Sequence, residues 1–222
     1  MDKYKDFKAH EIIRSSPKAY KTVKEYRRYL EGDFHHRCCY CNYSDQRSMI
    51  PFEIDHFIPR AEFKGKNEAL NTKYENLMYS CKKCNNAKGA QFKGDVFSPD
   101  CSNEFFYDPT KTDYNTVFYR DKSGCIVSDD VKGRDMICRL KLYRGIHVLA
   151  WLCEELEEKK EILREKKEQE TNTERKQLLT EAYYRILDYY CHFRDVFNES
   201  YKNDDLRFAP IQAIMHELIE AQ

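Results

Sequence analysis

No apolar run in the 222 residues approaches the roughly 20 needed to cross a bilayer, and the opening stretch MDKYKDFKAH lacks the apolar segment of a secretory signal. A cytoplasmic location and no membrane partner are therefore expected. Net charge is also missing, because 38 basic residues balance 38 acidic ones. The whole molecule is not a polycation, so any attraction to nucleic acid must be local. No glycine-rich phosphate loop is present, so ATP binding would have to come from another chain. Internal repeats and low-complexity tails are absent too. One Trp stands against 17 Tyr and 13 Phe, and with 34% charged residues the chain reads as soluble, globular and rich in helix.

Cysteine is what the chain does have, in ten copies. Without an export signal they argue against disulfides, since the cytosol keeps thiols reduced. Two stretches pair them at ligand spacing: His35-His36-Arg37-Cys38-Cys39-Tyr40-Cys41 and Cys81-Lys82-Lys83-Cys84-Asn85-Asn86-Ala87-Lys88-Gly89. Cys38, Cys41, Cys81 and Cys84 make two CxxC knuckles, the four-sulfur shell that structural zinc favours. Cys39 competes with Cys38 but lacks the spacing. Cys101, Cys125, Cys138, Cys153 and Cys191 have no partner spacing and are expected as small core residues. The 39 residues between Cys41 and Cys81 exceed what a zinc ribbon needs, so something is inserted there.

Four regions follow from the patterning. Residues 1–34 carry a helical face of Tyr20, Val23, Tyr26 and Leu30, starting at Ser15-Ser16-Pro17 and ending at Gly32-Asp33. Residues 35–95 hold the chemistry, with a short apolar run from Phe52 to Ile58 and a helix from about Cys81 to Ala90. Residues 96–130 read as loops and a hairpin across Asp121-Lys122-Ser123-Gly124. Residues 131–222 are helical: Ile146, Leu149, Leu152, Leu156 and Leu163 line one segment, Leu179, Ala182, Tyr183, Ile186, Tyr190, Phe193 and Phe197 the next, and Ile211, Ile214, Met215, Leu218 and Ile219 a last helix after Pro210. The leucine heptads fail near Lys160 and Lys167, which favours an intramolecular helical hairpin over a coiled coil.

The insert contains Glu53-Ile54-Asp55-His56-Phe57-Ile58-Pro59-Arg60 and Tyr74-Glu75-Asn76-Leu77-Met78-Tyr79-Ser80. Asp-His, Asn-Leu and then CxxC followed by Asn and Lys resemble the HNH endonuclease family over residues 38–92. That resemblance implies a ββα-metal nuclease core stapled by a structural Zn²⁺, set in a mainly α protein with a small α+β core. It implies His56 as general base, since neutral imidazole can take a proton from water near pH 7. Asp55 would give a hard oxygen to Mg²⁺ or Mn²⁺. Asn85, one residue past the last cysteine, would be the second ligand where many relatives have His, and Asn76 would brace the His56 segment. Lys88, one turn beyond Asn85, and Arg60 are expected to meet a phosphate.

From His56 to Gly94 eight basic residues face three acidic ones, a local excess that suits nucleic acid, with DNA placed ahead of RNA. Gly133 to Leu142 followed by Arg144 resembles the segment downstream of the HNH core in PtuB-like proteins of Septu and retron-associated phage-defence systems. That implies an ABC-type ATPase partner, PtuA-like, and a retron RNA or DNA as a further partner. The expected activity is metal-dependent hydrolysis of phosphodiester bonds. A standalone restriction-type DNase and a non-catalytic zinc-held binding or adaptor module are the alternatives.

Overall fold

The computed structural model describes residues 4–15, 18–46 and 50–203, and the chain divides into two units, Met1–Asp121 with Ile126–Tyr143 and Lys122–Cys125 with Arg144–Gln222. In the first unit, strand β1 (Lys5–Asp6) opens the chain, and a 3₁₀ turn at Val23–Tyr26 leads into helix α1 (Arg27–Asp33). The helix expected to begin near Ser15 therefore begins later. Ser16 and Pro17 lie outside the described residues, and Lys18 to Thr22 are not helical. Thr22 is the better start because Glu25, three residues on, accepts hydrogen bonds from both its amide (3.0 Å) and its hydroxyl (2.8 Å). Tyr26 from the turn and Leu30 from α1 are buried.

Strand β2 (Phe52–His56) pairs antiparallel with β3 (Leu77–Cys81), in a register running from Phe52 opposite Cys81 to His56 opposite Leu77. Every residue of β3 is buried, which explains a sequence, LMYSC, without simple polar alternation. Helix α3 (Lys82–Lys88) follows with no loop, and Gly89 ends it at φ +52°, a conformation that costs glycine little. Between the strands lie α2 (Arg60–Phe63) and two 3₁₀ turns, Glu68–Asn71 and Tyr74–Asn76. Ile58, Phe63, Leu70, Val96 and Cys101 form a small core beneath them.

The second sheet has the order β1-β4-β5, with β4 (Tyr119–Arg120) and β5 (Ile126–Val127) forming the hairpin that the turn residues imply. Helix α4 (Val131–Arg139) starts where Asp130 accepts from the Gly133 amide at 2.7 Å. Together the elements are about half helix with two small antiparallel sheets.

In the second unit, α5 (Gly145–Gln169) and α6 (Thr173–Asn203) pack as a helical hairpin. Asn172 caps α6 by accepting from the Arg175 amide at 3.0 Å. Ile146, Leu149, Leu152 and Leu156 are buried from α5, and Ile186, Phe193 and Phe197 from α6; Leu163 and Tyr190 are half-buried. Gly124 is at φ +74°, and a Cβ there would collide with the Trp151 ring. The helix expected after Pro210 lies outside the described residues. No helix among those described is long and apolar enough to cross a membrane.

Candidate active site and metal centre

The chain leaves α1 through His35 and His36, both at positive φ, and enters the first knuckle. There Cys38 donates its amide to Tyr43 O (2.8 Å), and Asn42, at φ +63°, donates its amide to Cys38 O (2.9 Å). Asn tolerates that left-handed geometry better than most residues. The Cys39 amide reaches Tyr79 O (2.9 Å), which ties the knuckle to β3. The second knuckle is the junction of β3 and α3, with Cys81 capping the helix and Cys84 within it.

These two turns bring the sulfurs of Cys38, Cys41, Cys81 and Cys84 within 4.8 Å of one another, all buried. Cys41 and Cys81 are 3.8 Å apart. A regular tetrahedron with Zn–S arms of ~2.3 Å has edges of roughly 3.8 Å, so the shell fits zinc. Burial opposes ionisation at Cys38, yet hydrogen bonds from the other cysteines take its thiol well below the ordinary value. Burial and the hydrogen bonds with Cys38 and Cys81 push Cys41 well above it. A divalent cation among the sulfurs would favour their thiolate forms.

Beside this centre, α3 lies across β2. Asn85 and Lys88 stand one turn apart on α3, and each reaches a β2 carboxylate: Asn85 Nδ2 donates to Glu53 Oε2 (2.7 Å), and Lys88 Nζ donates to Asp55 Oδ1 (3.0 Å). Glu53 and Asp55 are two residues apart, so they leave the same face of the strand. Tyr40 donates its hydroxyl to Asp55 Oδ2 (2.7 Å). Burial raises the Asp55 pKa, while the Lys88 ammonium and the Tyr40 hydroxyl pull it down. Ser80, opposite Glu53 in the ladder, carries a buried hydroxyl with no hydrogen-bond partner among the described residues. Two carboxylates, the Asn85 amide oxygen and an unsatisfied hydroxyl are the kinds of oxygen donor that a hard cation or its water shell takes.

His56 is next to Asp55 in sequence, but alternate strand residues point to opposite faces. Its Nε2 lies 2.9 Å from Asn71 O, and its ring packs 5.6 Å from that of Phe63. A carbonyl only accepts, so Nε2 carries the proton and Nδ1 keeps its lone pair. Burial lowers the His56 pKa, and the charges of Arg60 and Lys88 lower it further against the pull of Asn71 O and Asp55. Asn76 is fully buried; its Oδ1 accepts from the Ile58 amide (2.8 Å) and its Nδ2 donates to Leu70 O (3.1 Å) and Ile58 O (3.3 Å). It thereby holds the two segments that flank the His56 ring.

Lys88 stands apart from what its sequence position suggested. Expected at a phosphate, it is fully buried, its ammonium held by Asp55 and by the His56 carbonyl at 2.8 Å. It acts as the internal counter-charge of Asp55. Arg60 is solvent-exposed at the start of α2. His36 bonds Asp45 and His35 bonds Glu11 O. Of the cysteines outside the knuckles that were expected in the core, Cys101 is buried, while Cys125, Cys153 and Cys191 are half-buried and Cys138 is exposed.

Sequence reasoning assigned no role to Glu53, Tyr40, Asn71 or Lys8. For Glu53 a signal was present, since a carboxylate two residues before Asp55 on a strand must share its face. The others bond through fold-dependent contacts that spacing does not announce.

Residues 38–91, or 54 of 222, match the family model described as HNH endonuclease. The matched stretch begins at the first zinc-spaced cysteine and ends three residues past Lys88, so it contains the four cysteines, both strands and α3. No curated protein and no solved structure matches the chain.

Proposed function

We propose that residues 38–91 form a metal-dependent endonuclease centre that hydrolyses phosphodiester bonds, with His56 as the base. The observation that carries this reading is a buried imidazole kept neutral, with Nε2 committed to Asn71 and Nδ1 left to take a proton from water. Asp55 and Asn85 are the residues to hold a Mg²⁺ or Mn²⁺, which when bound would polarise the phosphate and neutralise charge on the leaving oxygen. Glu53 sets the rotation of the Asn85 amide. Tyr40 and Lys88 fix the Asp55 carboxylate, and Asn76 keeps the chain after His56 in register. Arg60, exposed and close enough for His56 to feel its charge, is the remaining cation to meet a phosphate.

The test is cleavage of plasmid DNA and total RNA with Mg²⁺ or Mn²⁺, wild type beside His56→Ala. The substitution should cost about 10²–10⁴-fold in rate and leave binding intact. Because burial lowers the His56 pKa, the base stays unprotonated below its ordinary value of ~6.5, and the acid limb of the rate profile should lie on the acid side of that value. No metal-dependent cutting would leave a zinc-held binding module, and equal cutting by the variant would remove His56 as the base. The finer reading, a DNA-cutting effector of a defence complex, is supported by the resemblance of Gly133 to Arg144 to PtuB-like proteins. It requires cutting to depend on an added ABC-type ATPase, whereas cutting by the chain alone would favour a standalone nuclease.

A further inference from the structure

Lys8 is a buried cation, 6% exposed, for which the described residues contain no ion-paired carboxylate. Burying an ammonium costs several kcal/mol unless an anion compensates, so its position needs an explanation. Its backbone is clamped to Asn115, whose side chain accepts from the Lys8 amide (2.8 Å) and donates to the Lys8 carbonyl (2.9 Å). The side chain then runs inward. Nζ donates to Cys39 O at 3.0 Å and lies 4.2 Å from the centre of the buried Tyr114 ring. One residue earlier, Phe7 O accepts from Asn42 Nδ2 at 3.0 Å, so this N-terminal segment grips the first knuckle on both sides of Cys41. Desolvation lowers the Lys8 pKa to about 8.

A divalent ion held by four thiolates leaves two net negative charges in a buried site. Asp55 and Lys88 already neutralise each other. We propose that Lys8 is the counter-ion of the tetrathiolate zinc centre, a positioning residue from outside the 38–91 stretch that retains the metal by charge. The inference rests on the zinc reading of the four cysteines.

The experiment uses the full chain in four forms: wild type, Lys8→Arg, Lys8→Met and Lys8→Gln. Zinc content is measured by native mass spectrometry, and zinc release by transfer to a chromogenic chelator. Gln keeps a donor for Cys39 O without charge, Met keeps the aliphatic volume, and Arg keeps the charge. Both neutral variants should release zinc at least ~10-fold faster than wild type, or about 1.4 kcal/mol, with Arg near wild type. Release from Met and Gln at the wild-type rate would overturn the proposal, as would equally fast release from Arg, which would make the shape of the side chain decisive. Wild-type protein without zinc would instead overturn the zinc reading itself. A folding failure confined to the neutral variants and repaired by saturating zinc supports the proposal; one shared by Arg overturns it.

Discussion

In the β2–β3–α3 region Asp55, His56, Asn76, Ser80 and Lys88 are all buried beside the cysteines, whereas the α5–α6 hairpin buries Leu149, Leu152, Leu156, Ile186, Phe193 and Phe197 and, among its described residues, a single polar side chain, His147. The first region is held by groups that are costly to bury and tolerable only when each meets its partner. The second is held by apolar area, which is non-directional and spread over many residues. Chemistry needs the first arrangement, because only buried polar groups have their protonation and orientation set by neighbours. A mechanical or docking element manages with the second.

The sharpest way to separate the two is to remove the metal. Structural zinc contributes about 10–16 kcal/mol in small zinc modules, which is more than a typical domain's net stability. Treatment with a strong chelator, or Cys84→Ser, should abolish the ordered β2–β3–α3 region while the helical far-UV signal of α5 and α6 persists. Circular dichroism with and without chelator measures both. Melting unchanged by the chelator would mean that the four sulfurs hold no metal of consequence. Loss of all helix together with the core would mean that the two regions fold as one.

A smaller effect is expected from Lys88→Met. The Asp55–Lys88 pair lies 3.0 Å apart with side chains 7% and 0% exposed, so removing the lysine leaves a buried carboxylate with one donor fewer. Breaking one partner of such a pair costs about 3–5 kcal/mol. Denaturant unfolding of the zinc-loaded protein should show that loss, and adding Asp55→Asn should recover part of it. A loss below ~1 kcal/mol would show that the buried pair is no stronger than a surface one.

The contrast also decides what the sequence could show. The cysteine spacing, the Asp-His and Asn-Leu steps and the leucine stripe of α5 are local patterns, and each sits where its period or spacing puts it. The start of α1 was misplaced because Ser15-Ser16-Pro17 and Thr22 both look like helix starts, and only the Glu25 carboxylate on Thr22 chooses between them. Lys88 was misread for a related reason. Its one-turn offset from Asn85 fixes the helix face, but whether that face meets water or β2 depends on the packing of α3 on the hairpin. Lys8 carries no such signal, because its partner Cys39 is 31 residues away and no spacing rule joins an N-terminal loop to a knuckle.

The smallest effect belongs to the hairpin's surface. Arg164 and Glu161 form an ion pair of 2.5 Å, shorter than that of Lys88 and Asp55, with side chains 51% and 39% exposed. Distance alone would rank it the stronger of the two. Solvent screening and the entropy of holding two long side chains reverse that order, and exposed pairs contribute roughly 0–1 kcal/mol. Arg164→Ala should therefore change the unfolding free energy by no more than about 0.5 kcal/mol, with zinc content and cleavage unchanged. A loss approaching that of Lys88→Met would show that the charged face of α5 is structural rather than solvated, and the division between a region held by polar contacts and one held by apolar area would fail at its simplest point.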